Sequence, residues 1–207
     1  MSQFLQLFDT WHLIRLFGLL AYFFFSMSLA FGMLSRLSAF KKEKGLFNFI
    51  HMSSSWAGLF TILAHILILL INHYQPYTIL EIIVPFAATY EPVASALGTI
   101  AFFIFLIVLF TSDVLLGKMN RALWKWLHLL VFPAWVFMLL HGLIMGTDSA
   151  TWWGAVVYGA SAFIILFIFA AKVMDRGKKP DSKRITEKRR SGKRRAGGQE
   201  KGHPYLP

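Results

Sequence analysis

The chain of 207 residues is too apolar for a soluble globular protein. Hydrophobic residues make up 57% of it and charged residues 15%, whereas soluble domains average about half and about a quarter. Cysteine is absent, which excludes iron–sulfur clusters, thiolate zinc sites and disulfide chemistry. The composition therefore predicts a chain that is surrounded mainly by lipid.

The net charge of +11 is concentrated at the C-terminal end. Residues 172–207 contain 13 Lys or Arg and 4 Asp or Glu, whereas residues 1–171 contain 8 and 6. The tail 174–207 is basic, rich in glycine and without apolar periodicity, which predicts disorder. Beside a membrane such a tail favours anionic lipid, at about 1 kcal/mol per basic residue, or an acidic protein partner. Binding to nucleic acid is not expected.

Five apolar stretches are long enough to cross a bilayer as helices. They predict an all-α integral membrane protein whose transmembrane domain, 12–173, follows a short outer segment, 1–11. The connector 74–93 is interrupted by prolines and is expected to lie along the outer membrane surface. The predicted spans are 12–34, 48–72, 94–116, 125–146 and 152–173.

The charges of the connectors predict the orientation of the bundle. Loops 35–47 and 117–124 carry lysine and arginine, as does the tail, whereas the segments on the opposite side carry neither. The positive-inside rule then places the N-terminus outside and the C-terminus in the cytoplasm. Arg15 is the one basic residue near the outer side.

Four histidines lie at depth within the predicted spans, where an ionisable side chain is costly and suggests a site. His51 and His65 are 14 residues apart in span two, and His128 and His141 are 13 apart in span four. At 1.5 Å per residue, each separation is about 20 Å along the helix. Because both spans run in the same direction, His51 is level with His128, and His65 is level with His141.

Two imidazoles at one level can ligate the iron of a haem that is held without cysteine. Two such levels predict two b-type haems stacked between helices two and four, whereas zinc or copper would need its ligands within a few ångströms of each other. On an ideal helix, His128 and His141 point about 140° apart, so the prediction requires a distortion at Pro133. The alternative is that each histidine packs between helices and bonds to a neighbour.

The histidine helices and the segments around them resemble the ferric reductase-like transmembrane domain family, which includes ferric reductases and NADPH oxidases. The resemblance covers about 48–170 and implies haem pairs on His51–His128 and His65–His141, with electrons moving outward from a cytosolic donor. Two features depart from the family: only about 34 residues follow the last span, without a flavin or nicotinamide domain, and five spans are predicted where six are common. The similar segments are VPFAATYEP (84–92), ALGTIAFFIFLIVLFTSDVL (96–115) and RALWKWLHLLVFPAWVFMLLHGLIMGTD (121–148).

Four other residues are candidate cofactor contacts. Gly58, midway between His51 and His65, could admit a macrocycle or a neighbouring helix. Trp135, between the two levels, could bridge the haems or simply pack. Lys125 is a candidate partner for an inner haem propionate, with ordinary cytoplasmic flanking as the alternative. Arg15 is expected to pair with an outer propionate, with snorkelling to lipid headgroups as the alternative.

These observations favour a di-haem b-type cytochrome in a bacterial cell membrane. It would relay single electrons from a cytosolic flavin reductase or a quinol to an outer acceptor, either ferric iron or a protein, and any flavin would belong to the separate partner. One alternative is a haem-binding membrane subunit of a separate periplasmic or extracellular oxidoreductase. Another is a haem-free scaffold or transport protein.

Overall fold

The structure, a computed structural model, describes residues 9–73 and 76–177. The disorder predicted for the tail falls almost entirely outside these residues, as does most of the predicted outer segment 1–11, and both stay predictions. The described residues form α-helices and one short 3₁₀ turn and contain no strand.

Five spans in this part of the chain are long and apolar enough to cross a membrane, which confirms the predicted all-helical, five-span architecture. Their ends differ from the predicted ends by up to four residues. The fourth span consists of two helices in succession, and a short helix, α3, lies in the connector before α4. The helices are α1 (Thr10–Leu34), α2 (Lys44–Ile71), α3 (Ile79–Ile83), α4 (Pro92–Asp113), α5 (Arg121–Leu129), α6 (Val131–Met145) and α7 (Trp152–Gly177).

The fourth span is broken at Leu130, between α5 and α6. Pro133 has no N–H to donate to the carbonyl of Leu129, so the α-helical ladder loses a bond there. The N–H of Leu130 bonds instead to the carbonyl of Leu127 at 3.0 Å, which tightens the turn. The distortion expected from Pro133 is therefore present, and it lies between His128 and His141.

Helix α1 is the central element of the bundle. It packs along α2 and also contacts α6 and α7, while α4 packs against α6. Phe25 of α1 and Phe105 of α4 stack in the core with ring centroids 4.0 Å apart. Because α2 lies against α1 and makes little contact with the fourth span, space is left between the two histidine-bearing spans.

The two ends of the bundle differ in charge. At one end, the N–H of Ser38 donates to Oδ2 of Asp175 at 3.1 Å, which joins the basic first connector to the end of α7. At the other end, the hydroxyl of Thr10 donates to Oδ1 of Asn72 at 2.9 Å. The basic first connector and the end of α7 therefore lie at the same end of the bundle, called the basic end below.

The connector after α2 is folded around Glu81. Its carboxylate accepts bonds from the N–H groups of Thr78 and Thr89, at 2.9 and 2.8 Å, and from both of their hydroxyls. Thr78 also caps α3, while Phe86 and Glu91 adopt positive φ angles of 69° and 43°. The described part of this connector is therefore a compact surface loop with one short helix.

The carboxylate of Glu81 should hold this loop together down to low pH. The hydroxyl of Thr89, followed by the other bonds, lowers the pKa of Glu81 from its ordinary 4.5 to about 2. Because the folded-state pKa is depressed, the stabilisation is complete above pH 4.5 and is lost as the pH falls through 2. We expect slow hydrogen exchange of the Thr89 amide from pH 7 to pH 4, and fast exchange in Glu81→Gln throughout that range. Equal protection in the two proteins would show that the carboxylate does not hold the loop.

Candidate functional site

His65 and His141 line a cavity at the end of the bundle that carries the α2–α4 connector. The cavity has a volume of about 530 Å³ and is bounded by α1, α2, α4, α6, α7, that connector and the turn after α6. Small-molecule and cofactor sites typically measure about 300–1,000 Å³. This cavity, named the outer cavity after the predicted orientation, is large enough for an organic cofactor and has one imidazole from each histidine-bearing span.

His51 and His128 line a second cavity near the basic end. Their ring centroids are 6.2 Å apart, and the ring planes are inclined at 76°. Two imidazoles on one metal, with metal–nitrogen distances of about 2.0 Å, have centroids about 6 Å apart. A separation of 6.2 Å fits two imidazoles on one metal, and it also lies within the ordinary range of an edge-to-face ring pair. This cavity is named the inner cavity after the predicted orientation. Its volume is only about 170 Å³, so neighbouring side chains must move apart to admit a macrocycle.

Backbone carbonyls orient three of the four imidazoles. Nδ1 of His51 donates to the carbonyl of Ser28 at 2.8 Å, and Nδ1 of His65 donates to that of Ile14 at 2.9 Å. Nδ1 of His141 donates to the carbonyl of Ala94 at 2.8 Å. Because a carbonyl oxygen can only accept, Nδ1 carries the proton in each ring and Nε2 is the basic nitrogen. Metal-ligating histidines are commonly held in this way.

A glycine lies four residues after each of these carbonyls. A Cβ on Gly18 would lie 3.2 Å from the ring of His65, and on Gly32 it would lie 2.9 Å from the ring of His51. On Gly98 it would lie 2.8 Å from the ring of His141. Residue i+4 stacks over residue i on a helix, so the missing side chain leaves the carbonyl open to the imidazole.

Sequence reasoning missed these glycines, although they carry a usable signal. Gly18 and Gly32 are 14 residues apart in α1, which equals the separation of His51 and His65 in α2. Two helices packed side by side along their length keep such registers matched. The first helix is therefore part of the histidine site rather than only a membrane anchor.

His128 is held by side chains instead. Its Nδ1 lies 3.3 Å from Oγ of Ser112, and the indole N–H of Trp124 donates to the same oxygen at 3.2 Å. The Trp124 ring also stacks on the imidazole, with centroids 5.0 Å apart and planes inclined at 26°. At the basic end, Nδ1 of His51 thus contacts the carbonyl and, at 2.9 Å, the hydroxyl of Ser28, whereas Nδ1 of His128 contacts the hydroxyl of Ser112.

Trp135 and Gly58 line neither cavity. Trp135 is buried in the core, where its indole donates to Oγ of Ser26 at 2.8 Å and its ring stacks against Tyr22. A Cβ on Gly58 would lie 3.1 Å from the ring of Phe25, so this glycine makes room for a side chain of α1. Both placements favour the packing interpretation over direct contact with a cofactor.

The cationic residues that line the inner cavity are Arg36 and Lys172 rather than Lys125. Lys125 is exposed and does not line the cavity, whereas Arg36 and Lys172 do. Arg36 lies just beyond the end of α1 and Lys172 near the end of α7. Their sequence positions look like ordinary flanking positions, and only the fold brings them to His51 and His128.

Arg15 is paired with a carboxylate of the chain itself. Its Nε donates to Oδ2 of Asp148 at 2.7 Å, and a second guanidinium nitrogen pairs with Oδ1. Both side chains are largely buried and line the outer cavity. The turn after α6 returns Asp148 to α1, so a carboxylate of the chain itself neutralises Arg15. The expected contact of Arg15 with an outer haem propionate stays a prediction.

Replacing Arg15 with glutamine should destabilise the protein by about 2 kcal/mol, since it leaves the Asp148 carboxylate without its charged hydrogen bonds. Asp148→Asn should cost a similar amount. The double variant should be more stable than the sum of the two losses predicts, because neither charge is then left unpaired. Thermal unfolding of the four proteins in one detergent measures this coupling. Strictly additive losses would contradict the ion pair.

The described residues, 9–73 and 76–177, contain no group of three or more His, Asp or Glu placed to hold a metal ion. A haem needs only one or two protein ligands, because its porphyrin supplies the others. Comparison of the chain with protein-family models, curated proteins and solved structures finds no match. The functional proposal therefore depends on the geometry of the chain itself.

Proposed function

We propose that this protein is a di-haem b-type membrane cytochrome that relays single electrons across the bilayer. The carrying observation is the pair of cavities, each lined by one histidine from α2 and one from the fourth span. The 6.2 Å separation of the inner rings suits two axial ligands. A bis-imidazole haem supplies one-electron chemistry and needs no cysteine in the protein.

The residues of the chain would orient the ligands and exclude water. The carbonyls of Ile14, Ser28 and Ala94 fix three imidazoles with Nε2 as the basic nitrogen. The stacked rings of Phe25 and Phe105 lie in the core near Gly58, midway between His51 and His65. This apolar layer would separate the two levels while keeping them close enough for electron transfer.

Cationic groups at the basic end would suit the carboxylates of an inner haem. Arg36 and Lys172 line that cavity and take the role that we first assigned to Lys125. At the outer cavity, Tyr77 and Tyr90 provide hydroxyl groups, while Arg15 is neutralised by Asp148. The two cavities therefore present different electrostatic environments to a cofactor.

The direction of transfer follows from the proposed orientation. With the basic connectors in the cytoplasm, the cavity of His51 and His128 is the inner one, and an inside-negative potential favours outward electron movement by about 2.3 kcal/mol per 100 mV. The donor would be a cytosolic flavoprotein or a quinol, and the acceptor an outer protein or ferric iron, as in ferric reductase-like proteins. The proposed location is a bacterial cell membrane.

The haem content of the purified full-length chain tests this proposal. After expression with sufficient haem supply, we expect two haems per chain and a reduced-minus-oxidised spectrum with a b-type α-band. Low-spin signals from two imidazole ligands should appear in the oxidised electron paramagnetic resonance spectrum. A folded, monodisperse protein that takes up no haem, even on reconstitution, would overturn the proposal and leave the scaffold or transport alternative.

A further inference from the structure

The four imidazoles are not held alike. Three donate to backbone carbonyls at 2.8–2.9 Å. His128 faces the hydroxyl of Ser112 at the longer distance of 3.3 Å. The residue four positions after Ser112 is Leu116 rather than glycine, so the carbonyl-and-glycine arrangement does not extend to this site.

The hydrogen-bonding capacities of the three side chains fix the direction of each bond. The indole N–H of Trp124 can only donate, so Oγ of Ser112 accepts from it at 3.2 Å. If Nε2 of His128 binds a metal, its Nδ1 carries the proton and must donate as well. The Ser112 oxygen then accepts from two donors, and each bond is weaker than a bond to a carbonyl.

We propose that Ser112, shared with Trp124, is a positioning residue that sets how strongly His128 donates electron density to an inner haem iron. This inference rests on the proposed haem sites. An acceptor at Nδ1 makes the imidazole a stronger electron donor and thereby stabilises ferric iron. Because Ser112 accepts from Trp124 as well, it makes His128 the weakest electron donor of the four proposed ligands. The potential of the inner haem can therefore be changed without altering that of the outer haem.

Opposite shifts of the inner midpoint potential are expected from the two partners of His128. Ser112→Ala removes the acceptor, which weakens His128 as a donor and raises the potential. Trp124→Phe keeps an aromatic ring over His128 but removes the competing N–H, so the serine oxygen accepts more strongly and the potential falls. A purely structural role would loosen His128 in both variants and shift the potential in one direction.

The experiment is a potentiometric titration of the full-length protein with its haems bound. His51→Ala identifies the inner component as the one that disappears. Ser112→Thr retains a hydroxyl and should keep the parental potential. Thr111→Val is the matched control, because the Thr111 hydroxyl bonds to carbonyls of its own helix and the residue lines neither cavity. The control should leave both components unchanged.

The outcomes separate this inference from the proposed function. The inference is supported if the inner midpoint potential rises in Ser112→Ala and falls in Trp124→Phe while the outer potential is unchanged. Loss of the inner haem from both Ser112→Ala and Trp124→Phe is the result of a purely structural role and overturns the inference. The inference is overturned if the inner potential does not change, if it shifts in the same direction in both variants, or if the outer potential shifts. None of these results would contradict the proposed haem sites. A parent protein without haem overturns the proposed function itself.

Discussion

Replacing His65 with alanine is expected to reduce the haem content from two per chain to one. The same result is expected for His141→Ala, because the two residues line one cavity. The His65→Ala/His141→Ala double variant should still retain one haem, whereas His65→Ala/His51→Ala should retain none or nearly none. In this pattern, the two histidines of one level act as one unit, and the two levels act independently. Four separate packing residues would not produce it. The ratio of haem to protein in purified samples measures it.

His12 and His73 provide matched controls for this series. Both are exposed, and neither lines a cavity. Alanine at either position should leave two haems per chain. If His65→Ala lost one haem and His141→Ala lost none, the proposed pairing of α2 with the fourth span would be wrong.

The sequence predicted the features of this protein that depend on spacing along a helix. Five apolar stretches gave the five spans, and the 14- and 13-residue separations placed the histidines at two levels. The proline at 133 indicated a distortion, which the structure has at Leu130. These predictions hold because helix rise and the missing N–H of proline are local properties.

The features that the sequence did not predict depend on which faces of the helices meet. The Ser28 carbonyl reaches His51 only because α1 and α2 pack with a particular rotation, and no periodicity within α1 specifies that rotation. Asp148 reaches Arg15 through a turn that folds back over the bundle. In the same way, Lys172 reaches the inner cavity through the packing of α7. The sequence therefore predicts the depth of a side chain along its helix better than it predicts the residue on another helix that the side chain contacts.

The glycines beside the histidines are visible in the sequence, but their role depends on which helix faces meet. A glycine within a transmembrane helix reads as a generic close contact between helices. Its position four residues after a carbonyl that accepts from an imidazole gives it a specific role. Gly32 allows His51 to approach the Ser28 carbonyl, and Gly18 does the same for His65. The histidines of α2 are thus oriented by the backbone of α1, so the proposed haem binding should be sensitive to small side chains added on α1 and α4.

Gly98→Ala is expected to be the most damaging of these additions. The new Cβ would lie 2.8 Å from two atoms of the His141 ring and 3.1 Å from a third, which is closer than van der Waals contact allows. The ring must move, and its bond to the Ala94 carbonyl is then weakened or lost. Overpacking of this kind typically costs about 1–3 kcal/mol. We expect a lower thermal midpoint and loss of the outer haem from most molecules, while the inner haem is kept.

Gly159→Ala is the control that separates this effect from a general response to helical glycine. Gly159 lies within α7, and a Cβ there would meet nothing within 4 Å. Alanine should stabilise that helix by about 0.5–1 kcal/mol and leave both haems bound. The contrast matters because glycine is equally unfavourable in both helices before packing is considered. A loss of haem that occurs in Gly98→Ala and not in Gly159→Ala would therefore be due to the imidazole beside Gly98. Full outer-haem occupancy in Gly98→Ala would show that His141 does not need its bond to Ala94 to bind the cofactor.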